Sequence, residues 1–154
     1  MVTSIDSTFK NFNEDFLYTR PLTKDIMVCA VMDGCSSAKD SQFAAALYAK
    51  SLHKSSRMLP QMKAIMKVFD LKTMALEAIA EFFFKQLFED LRRAKKLFFL
   101  EREELLSTIV LLVIDRKKKT ACIKMSGDGI FAVNGEVTEI DQNNIPNFLG
   151  YHLG

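Results

Sequence analysis

The chain has 154 residues, 49% hydrophobic and 26% charged with 3 prolines, a balance that excludes intrinsic disorder and predicts one globular domain over residues 1–154. Its 21 basic and 19 acidic residues leave a net charge of +2, too even to mark a nucleic-acid or anionic-membrane partner. Apolar runs such as residues 109–114 fall far short of the ~20 residues that cross a bilayer, and the first ten residues lack a secretory signal, so a cytoplasmic protein is expected.

In chain order, residues 16–18 can form a strand that pairs with residues 26–32 across a turn at 19–25. Residues 26–32 are apolar and stop at Asp33-Gly34, as a buried strand ending in a sharp turn would. After Cys35-Ser36-Ser37, residues Phe43, Ala44, Leu47, Tyr48 and Leu52 recur at helical spacing, with Ser37 or Asp40 available as a cap. This helix is expected to end near Ser55-Ser56. Pro60 can open a second helical stretch. From Asp70, residues Leu71, Met74, Ala75, Ala78, Ile79, Phe82, Phe83 and Leu87 make one apolar face, extended by Leu91, Ala94 and Phe98. Arg92, Arg93, Lys95 and Lys96 fall mostly on the opposite, solvated side.

The period then changes. Residues 108–114 read as a strand covered on both faces, residues 115–119 as a charged turn, and residues 120–125 as the antiparallel return. Gly127-Asp128-Gly129 precedes a hairpin of residues 130–133 and 137–140, joined by Asn134-Gly135, whose residues tolerate the positive φ of a type I′ turn. Residues 141–154 read as loop. Helices segregated from an antiparallel sheet predict an α+β fold.

Three cysteines, Cys29, Cys35 and Cys122, are an odd set without a Cys-x-x-Cys pair, which predicts free thiols rather than a disulfide frame or a zinc site. The only histidines, His53 and His152, read as surface residues. Two acidic clusters stand out instead: Glu14-Asp15 just before one strand and Asp33-Gly34 at the end of the next. A hairpin would bring them together in outline as a site for a hard divalent cation, although acidic residues beside turns are commonly just solvated.

Lys10-Asn11-Phe12-Asn13-Glu14-Asp15, then Ala30-Val31-Met32-Asp33-Gly34, Ser107-Thr108 and Ser126-Gly127-Asp128-Gly129 follow one another in an order and at separations that resemble the type 2C family of metal-dependent serine/threonine protein phosphatases. The likeness runs from Lys10 to about Leu153. It implies antiparallel β-sheets packed with helices, as part of an α-β-β-α sandwich, and two Mn²⁺ or Mg²⁺ ions. By position, Asp33 would bridge the ions, the Gly34 carbonyl and Glu14 would bind one of them, and Asp15 would support them. Asp128 resembles a residue that helps to bind a further, weaker metal. The implied reaction is attack of a metal-activated water on phosphoserine or phosphothreonine in a protein substrate.

The chain departs from the family pattern in three places. Lys10 stands where the family has an arginine that clamps phosphate, which keeps the charge without the bidentate fork. Cys35 follows Asp33-Gly34 where relatives often carry a histidine; it reads as a small buried thiol. The later Asp-Gly and Asp-Asn motifs have no counterpart after Asp128, where only Glu136, Glu139 and Asp141 are acidic. The expectation is therefore either a longer gene product or an inactive homologue that acts as an interaction module, self-associating through sheet surface left open.

Overall fold

The apolar run beginning at Ile26 becomes the central strand of a five-stranded antiparallel sheet. The computed structural model describes residues 2–5, 14–35, 41–65, 70–142 and 147–153. Strands β1 (Val2–Ile5), β2 (Asp15–Pro21), β3 (Ile26–Asp33), β4 (Ile109–Asp115) and β5 (Thr120–Ser126) lie side by side in that order. β1 has no strand signal of its own in the sequence, and β2 extends beyond residues 16–18 at both ends. The β2–β3 turn narrows to residues 22–25, where the Leu22 and Thr23 amides donate to the Ile26 carbonyl at 2.9 and 3.1 Å. Thr23 Oγ1 accepts from the amides of Asp25 and Ile26 and so closes the turn.

Alternation along the strands sorts the side chains onto two faces. Ile26, Val28, Ala30 and Met32 of β3, and Ile109, Leu111 and Val113 of β4, are buried on one face. The opposite face carries Met27, Cys29, Leu112 and Ile114 half-buried, and Val31 is 47% exposed. Residues 108–114 are thus covered on one face rather than both, and Thr108 lies just before the strand.

Two helices cover the buried face. Helix α1 (Ser41–Ile65) packs on β2 and β3, and α2 (Leu76–Phe98) packs on β4 and β5. α1 presents Ala44, Ala45, Tyr48, Ala49, Leu52 and Leu59 to the core. It does not end at Ser55-Ser56, and Pro60 lies inside it rather than opening a new helix. Tertiary contact overrides the local preference: both serines are buried, and Ser56 Oγ accepts a 2.7 Å hydrogen bond from the Tyr18 hydroxyl on β2.

α2 starts at Leu76, five residues after Leu71, the first residue of the apolar stripe. Residues 70–75 form a turn in which the Asp70 carbonyl accepts from the Thr73 and Met74 amides at 3.0 and 3.2 Å, while its Oδ1 accepts from the Lys72 amide. A side chain bonding its own backbone competes with helix. Leu71 is nevertheless buried. Ile79, Ala80, Phe83, Phe84, Leu87, Leu91 and Ala94 are the inward face of α2, whereas Phe98, assigned to that stripe from its spacing, is 63% exposed. Phe99, at φ 54°, ends the helix in the left-handed region.

β6 (Gly129–Val133) and β7 (Glu136–Ile140) pair as a separate two-stranded sheet. Asn134 and Gly135 have φ of 53° and 89°, the two positive values that a type I′ turn demands. The tail is not all loop: Leu149–His152 is a 3₁₀ turn, flanked by buried Phe148 and Leu153.

Candidate functional site

The β2–β3 register decides which acidic groups meet. Asp15 is the cross-strand partner of Asp33, and the Gly34 amide donates to the Glu14 carbonyl at 3.1 Å. Directly opposed residues of an antiparallel pair share a face, so Asp15 and Asp33 stand together on the side of the sheet away from the two helices, at the same end as Glu14 and Gly34. Asp33 is exposed and Asp15 half-buried.

Ser107 and Thr108 hold the Asp33-Gly34 turn. The Asp33 carbonyl accepts from the Thr108 amide at 2.8 Å and from the Ser107 hydroxyl at 2.9 Å, and the Asp33 amide donates to Thr108 Oγ1 at 3.2 Å. Gly34 and Ser107 form an isolated antiparallel bridge flanked by the Thr108 amide to Asp33 carbonyl bond and the Cys35 amide to Leu106 carbonyl bond. This is the non-hydrogen-bonded type of pair, so the Gly34 carbonyl is not used by its partner. The sequence marked Ser107-Thr108 only as part of a motif series; their clamping of Asp33 joins positions 74 and 75 residues apart, which no local pattern encodes.

Asp128 reaches the same end of the sheet by another route. Ile109 pairs with Ser126, and Gly127, at φ 83°, sits against Thr108: a Cβ there would lie 3.0 Å from Thr108 Cγ2. The turn is therefore two strands from Asp33, roughly 10 Å at ordinary strand spacing. Asp128 Oδ1 accepts from the Gln142 amide at 2.9 Å, bracing the exit of β7. Lys10 lies outside the described residues.

These donors are hard oxygens, and Mg²⁺ or Mn²⁺ needs only one or two carboxylates when it keeps several waters. The Asp15–Asp33 pair with the Gly34 carbonyl fits such a water-rich site. Among the described residues, no group of three or more His, Cys, Asp or Glu side chains is gathered closely enough to hold a metal by itself.

A sequence model of one family, described as Protein phosphatase 2C, matches residues 9–148. The chain belongs to the protein phosphatase 2C family. The match spans both acidic clusters, the Ser107-Thr108 clamp and the Gly127-Asp128-Gly129 turn, and the α+β architecture of helices on an antiparallel sheet agrees with it. None of the curated proteins matches the chain.

The remaining reactive side chains lie elsewhere. Cys29, Cys35 and Cys122 form no disulfide, and all three are half-buried; burial pushes the Cys29 thiol up. Cys35 is thus less buried than the sequence suggested. His152 is exposed and shares a 2.7 Å hydrogen bond with Asn147 Oδ1, and His53 is half-buried on α1. No helix among the described residues is long and apolar enough to cross a membrane.

Proposed function

We propose that this protein phosphatase 2C domain, taken as a single unit over residues 1–154, hydrolyses phosphoserine and phosphothreonine in cytoplasmic proteins with Mn²⁺ or Mg²⁺. The observation that supports this most is the β2–β3 register, which opposes Asp15 to Asp33 beside Glu14 and Gly34. Bound divalent cations would acidify a water for attack on phosphorus and offset charge on the phosphoryl oxygens. In this reading Asp33 is the shared ligand, the Gly34 carbonyl and Glu14 complete its side of the site, and Asp15 supplies negative charge next to it. Ser107 and Thr108 fix the Asp33 backbone, so its carboxylate is presented from a rigid strand end. Lys10 attracts the substrate phosphate, and Asp128 serves a weaker outer cation.

The decisive experiment measures release of phosphate from a phosphoserine peptide by the folded protein in Mn²⁺. Hydrolysis should be abolished by chelator and reduced by about 10²-fold or more in Asp33→Ala, because charge stabilisation worth several kcal/mol is lost. Undiminished turnover by Asp33→Ala would sink the assignment.

One observation favours a second reading, in which the fold serves as an interaction module that associates with itself. Away from the acidic end, the sheet face opposite the helices is apolar, with Val31 47% exposed, and Ile130 and Val137 on the separate hairpin are 61% and 65% exposed. Apolar surface of this kind invites a partner.

A further inference from the structure

Away from the acidic end, the outer side of α1 gathers positive charge. Lys50, His53, Lys54 and Arg57 recur at i, i+3, i+4 and i+7, which places them on one helix face, where they line an open recess of about 610 Å³ with Gln61. A second element adds to it: Arg20 of β2 reaches His53, with Nη1 lying 3.5 Å from Nδ1. Arginine can only donate, so Nδ1 accepts and a neutral ring carries its proton on Nε2. Lys54 is paired with Asp90, whose other oxygen accepts from Ser51 at 2.7 Å. Arg20, Lys50 and Arg57 have no acidic partner among the described residues.

Like charges at helical spacing repel one another. Their effect registers at His53, where burial, followed by the charges of Arg20 and Arg57, holds the imidazole below its ordinary range. The recess thus offers the Arg57 guanidinium, the Lys50 ammonium and the His53 imidazole, with the Arg20 guanidinium of a second element beside it against His53, a donor set suited to a multivalent oxyanion.

We propose that this recess is an anion site that binds a phosphate dianion between Arg20, Lys50, His53 and Arg57. It does not depend on the hydrolytic reading. Asp15 and Arg20 stand at opposite ends of β2, so roughly 17 Å of strand separates the recess from the acidic pair.

The two histidines make the site directly observable, with His152 as an internal reference. Titrating inorganic phosphate at constant ionic strength, and following both imidazoles by NMR, should give a saturable shift at His53 alone and a rise in the pH at which His53 titrates. Arg57→Glu and Lys50→Glu, both at exposed positions that leave the core untouched, should each weaken that response by about tenfold or more, the equivalent of one substantial charge contact. Asp33→Asn should leave it unchanged, which separates this site from the proposed catalytic one. A phosphoserine peptide run in parallel identifies the source of the anion: tighter binding than inorganic phosphate marks a docking point for phosphoproteins, and weaker binding marks a site for a small free anion. A His53 signal that does not move, or one that moves in step with His152, or equal responses in the wild type and both charge-reversed variants, would overturn the proposal.

Discussion

Tyr48 shows how a single side chain ties the helix layer to the segment that holds the candidate site. Its ring is fully buried, and its hydroxyl donates to the Leu105 carbonyl at 3.2 Å, two residues before the Ser107-Thr108 clamp. Burial pushes the phenol well above its ordinary value, and burial raises Tyr18 in the same sense. The unfolded chain therefore releases these protons first. The stability they protect is complete below about pH 10 and falls as pH rises above it, by as much as ~1.4 kcal/mol per pH unit for one fully buried phenol. Tyr48→Phe should cost about 1 kcal/mol at neutral pH, because a buried carbonyl loses its donor. It should also flatten the alkaline decline, since of the two buried phenols only Tyr18 would remain. Urea unfolding of both proteins between pH 8 and 11 measures the two effects; parallel curves would refute the second.

Among the elements, α1 departs furthest from its sequence signature. Pro60 removes one helix hydrogen bond and crowds the preceding turn, at a typical cost of ~3 kcal/mol in a helix interior, yet α1 continues to Ile65. Leu52, Ser55, Ser56 and Leu59 are all buried on the same side, so packing against the sheet holds the helix through the break. Pro60→Ala should therefore stabilise the protein by ~2 kcal/mol, the restored helix less the gain in unfolded-chain entropy, read as a raised thermal midpoint. The same competition explains which elements were legible. The β3 and β4 runs, the Asn134-Gly135 turn and the middle of the α2 stripe carry their own local signals, and the structure puts the elements there, although β4 is buried on one face only and Phe98 leaves the stripe. The start of α2 was obscured by the Asp70 turn, the end of α1 by tertiary contacts, and β1 by a segment that owes its pairing to β2. Motif order pointed to Asp33, but the opposition of Asp15 to Asp33 follows from a strand register that is set by the whole hairpin.

For the molecule as a whole, the two readings differ in what stabilises the fold. Two aspartates held side by side on a sheet repel each other, and a divalent cation bound between them would relieve that repulsion only in the folded state. A ligand at ten times its dissociation constant adds about 1.4 kcal/mol, or roughly 3–6 °C in the melting midpoint of a chain of this size. Mn²⁺ should therefore raise the midpoint of the wild type, chelator should reverse the rise, and Asp33→Asn should abolish it. Asp33→Asn leaves the backbone clamp from Ser107 and Thr108 in place, so the comparison is made on a folded variant. The interaction-module reading makes the opposite forecast. There the midpoint ignores Mn²⁺ but climbs with protein concentration, since association through the face that bears Val31 would bury apolar area. Melting curves at two protein concentrations, each with and without the ion, tell the two apart. A midpoint that responds to concentration and not to Mn²⁺ would move the function from the acidic end of the hairpin to the apolar sheet face that bears Val31.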